Sequence, residues 1–199
     1  MITIKKVFLV LLGLLIVGCG VETKTIKNPD GSSKTYQFLK NNNYDSNKYT
    51  LKLKNGTMNI TIIKNGDKTY YKIVDNIEES VVVEKNYIRY TLNNNEKTYK
   101  KENIEGYKNY IAGYFPSDID SIKNMKYETG KEKIGVLNYV YEKYSYEGMS
   151  IIYYFRGKKL RYIKNVMPTN ETMVDFVSVS NKVDNSLFKI PSDYQEVEL

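Results

Sequence analysis

Apolar and polar residues alternate along most of the chain between residues 49 and 101. The apolar positions of the first two repeats are Tyr49, Leu51, Leu53, Met58, Ile60 and Ile62. A period of two is typical of half-buried β-strands, and the intervening Asn55-Gly56 is a strong signal for a two-residue hairpin turn. Further short strands are predicted over residues 68–74, 80–85, 87–92 and 97–101. This region is therefore predicted to be an antiparallel meander.

Three stretches carry helical spacing instead. A first helix is predicted from Ser32 or Ser33 to Lys40, because either serine can cap its start. Residues 102–114 place apolar side chains at steps of three and four before Pro116, and residues 117–125 begin with a capping-box pattern. Strands are predicted to resume over residues 127–134, 136–146, 149–156, 159–166 and 172–183.

These elements predict a β-rich α+β fold, with about ten to eleven short antiparallel strands and helices on one side. An open sheet of that width tends to curl or to split. The predicted architecture is therefore a curved antiparallel sheet, a half-barrel wrapped around short helices. Residues 32–199 are predicted to form it as a single domain, since their number suffices for a substantial core.

The start of the chain has a different organisation. Lys5 and Lys6 precede an apolar run over residues 7–17, and Gly18 precedes Cys19, the single cysteine. The run is shorter than the about 20 residues that span a bilayer, so residues 1–18 are predicted to be a signal peptide. Residues 16–19 resemble a bacterial lipobox, which implies a diacylglycerol on Cys19. An ordinary secreted protein or an uncleaved anchor is the alternative.

Residues 19–31 lack apolar periodicity and contain a Pro-Asp-Gly turn signal, so they are predicted to be a lipidated tether. Twelve extended residues reach about 40 Å. The domain is therefore expected to work near the extracytoplasmic face of the cell membrane, with Cys19 as its lipid anchor.

Charge and composition exclude several classes of function. Removing residues 1–18 removes two lysines and no acid, so the formal net charge falls from +7 to +5. Lysines and acids alternate without a clustered basic stripe, which argues against nucleic-acid binding. Weak attraction to anionic lipid or wall polymer stays open. With one cysteine, no internal disulfide can form.

The side chains that most hydrolases use are missing. The sequence contains no histidine and no second cysteine, which removes the usual zinc ligands and the Ser-His and Cys-His pairs. Ser186 and Lys189 match the Ser-x-x-Lys spacing, but Pro191 follows too soon for a helix and no companion motif occurs. We expect no enzymatic activity, no metal and no cofactor.

The end of the chain, Leu187-Phe188-Lys189-Ile190-Pro191 within residues 183–194, looks like the end of the LolA/LolB-type lipoprotein carriers and their Gram-positive relatives. Within that group the chain is most similar to the clostridial germination lipoproteins, GerS and GerS-related proteins. The resemblance covers roughly residues 30 to 195. It implies a LolA-like fold and a role in spore formation or germination, at the cell or forespore membrane. It also implies binding and activation of an N-acetylmuramoyl-L-alanine amidase that modifies cortex peptidoglycan.

The LolA-like relatives imply an alternative, a carrier that binds lipid or lipopeptide on its concave face. The residues predicted to line that face are Ile60, Ile62, Tyr71, Ile73, Val81, Val83, Tyr139 and Tyr141. The same positions could instead be a core filled by the helices. Tyrosine suits an acyl-chain cavity poorly, since a buried unpaired hydroxyl costs about 1 to 3 kcal/mol.

One predicted strand is apolar on both faces, whereas a half-exposed strand should alternate. Its residues, Ile151, Ile152, Tyr153, Tyr154 and Phe155, are the candidate surface for a partner or a second copy. Another part of the fold could also cover the second face. Strand exchange between two copies is a further expectation for an open curved sheet.

Overall fold

The computed structural model describes residues 24–28, 31–105, 114–116 and 118–198. Within them thirteen strands form one sheet. The strands are β1 Thr25–Lys27, β2 Lys48–Asn55, β3 Met58–Asn65, β4 Lys68–Val74, β5 Glu79–Lys85, β6 Ile88–Asn93, β7 Thr98–Asn103, β8 Tyr127–Ile134, β9 Leu137–Tyr146, β10 Met149–Arg156, β11 Lys159–Val166, β12 Glu171–Ser180 and β13 Gln195–Glu196. The helices are α1 Lys34–Asn41, α2 Ile119–Asn124 and a 3₁₀ helix, Asn185–Phe188.

The strand order across the sheet is β1-β8-β9-β10-β11-β12-β2-β3-β4-β5-β6-β7-β13. Neighbouring strands run antiparallel, except that β13 pairs with β7 in parallel. The sheet is therefore mixed, and it is not closed into a barrel, since β1 and β13 are its two ends. The β-rich class is confirmed.

The described part of the chain has more strands than the ten to eleven that the sequence predicted. Strands β1 and β13 are three and two residues long, too short to show a period of two. The strand β7 extends to Asn103, so the predicted start of a helix at Glu102 is wrong. Residues 106–113 of that helix lie outside the described residues.

Helix α1 begins as the sequence predicts. The Ser33 hydroxyl accepts a hydrogen bond from the backbone N–H of Tyr36 at 3.1 Å, which caps the first turn. One face of α1 enters the core, where Leu39 is fully buried. Helix α2 is capped by Asp118, whose side chain accepts from the N–H of Asp120 at 3.0 Å.

The largest core cluster lies on the sheet face that α1 covers, here called the helix face. Phe38 of α1 contacts Phe155 of β10 and Phe176 of β12, with ring centroids 6.3 and 5.2 Å apart. The same cluster continues to Tyr144 in β9 and Tyr71 in β4. Flat strands about 4.8 Å apart would spread far beyond a helix about 10 Å wide. This packing is consistent with the predicted curved sheet.

The opposite face, here called the outer face, is covered over β3 to β7 by the end of the chain. Phe188 of the 3₁₀ helix is buried against Ile63, Tyr70 and Val83. The Lys85 ammonium donates to the Phe188 carbonyl oxygen at 3.1 Å. The closing stretch on which the sequence resemblance depends is thus a packing segment of this sheet.

Part of the predicted tether belongs to the sheet. Thr25 pairs with Thr129, and Lys27 with Tyr127, so β1 extends β8 at the sheet edge. The segment between Cys19 and the sheet is then residues 19–24, about half the predicted tether. Among the described helices, none has the length and apolarity needed to cross a bilayer. Cys19 and the predicted signal peptide lie outside the described residues.

Candidate functional site

The doubly apolar strand is β10, and it lies in the interior of the sheet between β9 and β11. Tyr153 and Phe155 belong to the helix-face core, and Ile151 packs against it. Tyr154 belongs to a separate outer-face cluster, against which Ile152 packs. Both strand edges are paired, so this strand offers no free edge for strand exchange.

The second face of β10 is covered by neighbouring side chains of the same sheet. Tyr154 is 0 % exposed and packs with Tyr139 and Tyr141 of β9. Its hydroxyl donates to Glu132 Oε2 at 2.8 Å. A side chain without exposed surface cannot contact a partner. Tyr153, Tyr154 and Phe155 are therefore core residues, and the interpretation of these three as an exposed partner surface is wrong. Ile151 and Ile152 are half-buried.

We expect Tyr154→Ala to lower the free energy of unfolding by about 2 to 5 kcal/mol, as other truncations of large buried side chains do. Thermal and urea unfolding measure this loss. The matched control is Tyr146→Ala, since Tyr146 is 63 % exposed on the adjacent strand. A Tyr154→Ala protein as stable as the unmutated chain would show that the outer-face cluster is not part of the core.

The eight residues predicted to line one concave face do not share one face. Ile60, Ile62 and Tyr71 lie on the helix face, and Ile73, two residues after Tyr71 on β4, lies on the same side. The remaining four, Val81, Val83, Tyr139 and Tyr141, lie on the outer face. The predicted set is therefore divided between two surfaces. The register decides this division, because adjacent residues on a strand point to opposite sides.

An apolar cleft opens on the helix face beside α2. It has a volume of about 710 Å³. Its described lining comes from the segment before α2, from α2 and its end, and from β9 to β12. These residues are Tyr114, Phe115, Pro116, Ile122, Met125, Tyr144, Tyr146, Met149, Ser150, Ile151, Tyr153, Asn165, Val166, Met167, Asn170 and Thr172.

Hydrogen bonds and stacked rings hold the inner wall of this cleft. The Phe115 ring stacks on Tyr153, with centroids 6.0 Å apart and planes 4° from parallel. The Tyr153 hydroxyl donates to the Tyr114 carbonyl oxygen at 3.0 Å, and the Tyr44 hydroxyl donates to that of Pro116 at 3.0 Å. The segment at residues 114–116 is thereby fixed against the sheet, and it separates the cleft from the core around α1.

The cleft carries no acid–base chemistry among its described residues, because none of them is charged. Burial raises the pKa of the Tyr153 hydroxyl well above its ordinary value, and burial together with Glu142 does the same for Tyr144. Both phenols therefore stay protonated at neutral pH. The arrangement can bind apolar groups and exchange a few hydrogen bonds.

The outer rim of the cleft exposes apolar side chains to solvent. Tyr146 is 63 % exposed, Met149 43 % and Met167 42 %. All three lie at the ends of β9, β10 and β11, beside the turns that follow or precede these strands. Sequence reasoning missed this surface, because it forms only where three strand ends meet α2.

A buried acid, Glu142 of β9, was also missed. It is 3 % exposed, and its carboxylate accepts from the backbone N–H of Lys34 at 2.7 Å and of Thr35 at 2.8 Å. The Thr35 hydroxyl donates to the same carboxylate at 2.8 Å. Glu142 therefore holds the positive start of α1 on the sheet. The sequence feature that could have revealed this role is an acid between Val140 and Tyr144, two apolar residues on the same face of the strand.

Ser186, the serine of the Ser-x-x-Lys spacing, has a structural role in the turn that begins the 3₁₀ helix. The Ser186 hydroxyl donates to Asp184 Oδ1 at 2.7 Å, and Asp184 also caps the 3₁₀ helix. Within the described ranges, no group of three acids, histidines or cysteines could hold a metal ion. The cleft beside α2 is thus the candidate functional site.

No protein-family model matches this chain, and a search of curated proteins gives no match. A functional assignment therefore depends on the geometry of the site and on the sequence motifs.

Proposed function

We propose that this chain is a membrane-anchored lipoprotein that acts by binding rather than by catalysis, and that the cleft beside α2 is its contact surface. The anchor is a lipid on Cys19, on the extracytoplasmic face of the cell membrane. The observation that carries the binding assignment is the cleft itself, which is open, apolar and uncharged over its described lining.

We further propose a LolA-like half-barrel for the fold. The curved packing of β9 to β4 around α1 supports it, as does the C-terminal segment whose sequence resembles that group. In such a fold the helix face is the functional face, and the cleft lies on that face.

The preferred occupant of the cleft is a protein. Exposed tyrosine and methionine side chains at the rim are typical of protein interfaces, which are enriched in these residues. The centre of the helix face is filled by Leu39, Phe38 and Phe115. A second cleft of about 710 Å³ lies beside α1, but charged side chains such as Lys158 and Arg161 line it. By resemblance to the germination lipoproteins, the partner is a cortex N-acetylmuramoyl-L-alanine amidase, which this chain would activate during spore formation or germination.

One observation favours a second function, a carrier of lipid or lipopeptide. A volume of about 710 Å³ lies within the range of sites for small ligands, which is about 300 to 1,000 Å³. Such sites bury most of the ligand surface, whereas the rim of this cleft leaves Tyr146, Met149 and Met167 exposed. The exposed rim is why we prefer a protein partner.

The test places a charge on the rim. We expect Met149→Glu to reduce amidase binding at least tenfold, because a carboxylate in an apolar contact must be desolvated without a partner. Ile77→Glu is the matched control, since Ile77 is 95 % exposed in the turn after β4. Binding of the purified amidase is measured for the unmutated chain and both variants, together with binding of a fluorescent fatty acid.

The two functions separate in this experiment. The partner function is supported if Met149→Glu loses amidase binding while Ile77→Glu keeps it. The carrier function is supported if the amidase binds none of the three proteins and Met149→Glu loses fatty-acid binding. If neither probe binds the unmutated chain, or if both variants bind equally, then the cleft is not the contact surface.

A further inference from the structure

The direction of β1 determines where the predicted anchor leaves the domain. Thr25 pairs with Thr129 in antiparallel register, so Lys24 lies level with Gly130. The chain before Lys24 therefore leaves toward the turn that joins β8 to β9, at Gly135-Val136. The end of the domain at this turn is here called the anchor end.

The short tether keeps the anchor end close to the membrane. From Lys24 back to Cys19 the chain spans about 18 Å at most. The part of β8 from Gly130 to Gly135 spans about 17 Å in the same direction. A lipid on Cys19 therefore cannot lie much farther out than the β8–β9 turn. The opposite orientation would require the tether to reverse its direction at Lys24, because β1 enters the sheet from the side of this turn.

The β8–β9 turn presents apolar side chains to solvent at this end. Val136 is 88 % exposed and Leu137 is 36 % exposed. The neighbouring turn, between β10 and β11 at Gly157-Lys158, lies at the same end, because Phe155 pairs with Val140 near the start of β9. Two adjacent hairpin turns thus form the tip of the anchor end.

Basic side chains surround this tip. Those exposed on β8, β10, β11 and the adjoining turn are Lys131, Lys133, Arg156, Lys158, Lys159 and Arg161. None of them forms an ion pair with a described residue. The acid among them, Glu132, accepts the Tyr154 hydroxyl on the outer face. The anchor end therefore combines exposed apolar side chains with unpaired positive charge.

We propose that the anchor end docks on the anionic lipid surface of the membrane that holds Cys19, with Val136 and Leu137 in the headgroup region. Basic side chains near such a surface are attracted to anionic headgroups, and exposed apolar side chains add interfacial burial. This inference depends on the anchor in the proposed function. Docking would fix the orientation of the domain and turn the cleft, at the opposite end of β9 and β10, away from the bilayer.

The sequence allows one fluorophore and one coupling site to be placed without interference, because it contains no tryptophan and a single cysteine. Val136→Trp places one fluorophore at the tip, and Ile77→Trp places one on an exposed turn elsewhere. Residues 19–199, which include every described element, are coupled through the Cys19 thiol to a maleimide phospholipid in vesicles of phosphatidylglycerol and phosphatidylcholine. Quenching by brominated phospholipid then reports contact with the bilayer.

We expect Val136→Trp to be quenched and its emission to shift to shorter wavelength, while Ile77→Trp is unaffected. Adding Lys158→Glu and Lys159→Glu to Val136→Trp should lower the equilibrium constant for docking about 25-fold or more, because each of the two lost basic residues contributes about fivefold near an anionic surface. If Val136→Trp is quenched no more than Ile77→Trp, the docking proposal is wrong.

The chemical coupling separates this proposal from the anchor itself. The maleimide lipid supplies the tether whether or not a cell lipidates Cys19, so failed quenching counts against docking alone. Failure to label Cys19 with lipid in cells counts against the anchor in the proposed function.

Discussion

Glu142→Ala is expected to lower the free energy of unfolding by about 3 to 5 kcal/mol. The substitution leaves the Thr35 N–H and hydroxyl without an acceptor in a site where Thr35 is fully buried. Each buried unsatisfied donor costs about 1 to 3 kcal/mol, and the first turn of α1 also loses a favourable negative charge. Against a typical stability of 5 to 15 kcal/mol, a loss of about that size is severe. Urea unfolding followed by circular dichroism measures it.

Two further variants make this measurement specific. Glu142→Gln keeps the size of the side chain but offers one acceptor oxygen instead of two, so its loss should be intermediate. Glu171→Ala removes an exposed acid whose ion pair with Lys164 spans 2.9 Å, and such surface pairs contribute about 0 to 1 kcal/mol. Equal stability of Glu142→Ala and Glu171→Ala would contradict the role assigned to the buried carboxylate.

Cys19→Ala is expected to abolish lipid labelling and to release the protein from the membrane fraction. Its thiol is the single one in the sequence, so no other residue can take the diacylglycerol thioether. Labelling cells with an alkyne fatty acid and fractionating them measures both effects. Gly20→Ala, which keeps the thiol beside the changed residue, is the control.

The outcomes distinguish the alternatives that the N-terminal sequence leaves open. An unlabelled Cys19→Ala protein that stays in the membrane indicates an uncleaved apolar anchor. An unmutated chain that carries no label and is found in the medium indicates an ordinary secreted protein. Label that survives Cys19→Ala would overturn the lipobox interpretation.

The positions of the proposed anchor and of the cleft imply one orientation of the domain relative to the membrane. Strand β1 enters the sheet from the side of the exposed tip at the β8–β9 turn, while Tyr146 and Met149 lie at the other end of β9 and β10. A protein held this way would present its apolar rim to the space outside the membrane. That placement suits capture of a soluble enzyme better than extraction of a lipid from the same bilayer.

Local pattern by itself determined most of the elements. A period of two and Asn-Gly turns predict β2 and β3, and the strand predicted over residues 127–134 coincides with β8. Of the two serines predicted to cap α1, Ser32 and Ser33, it is Ser33 that caps it, and such a cap is predictable because it depends on a few adjacent residues. The class of the fold follows from such signals, since each of them is contained within one segment of chain.

The tertiary structure decided which face each side chain shares with distant residues. Tyr71 and Val83 both follow the period of two within their own strands. The register of β4 with β5 nevertheless places them on opposite faces of the sheet. The apolar second face of β10 looked like a partner surface, and tyrosines of neighbouring strands cover it instead. Glu142 received its role from α1, more than a hundred residues earlier in the chain. Contacts of this kind depend on strand pairing and packing between distant segments, which no local pattern encodes.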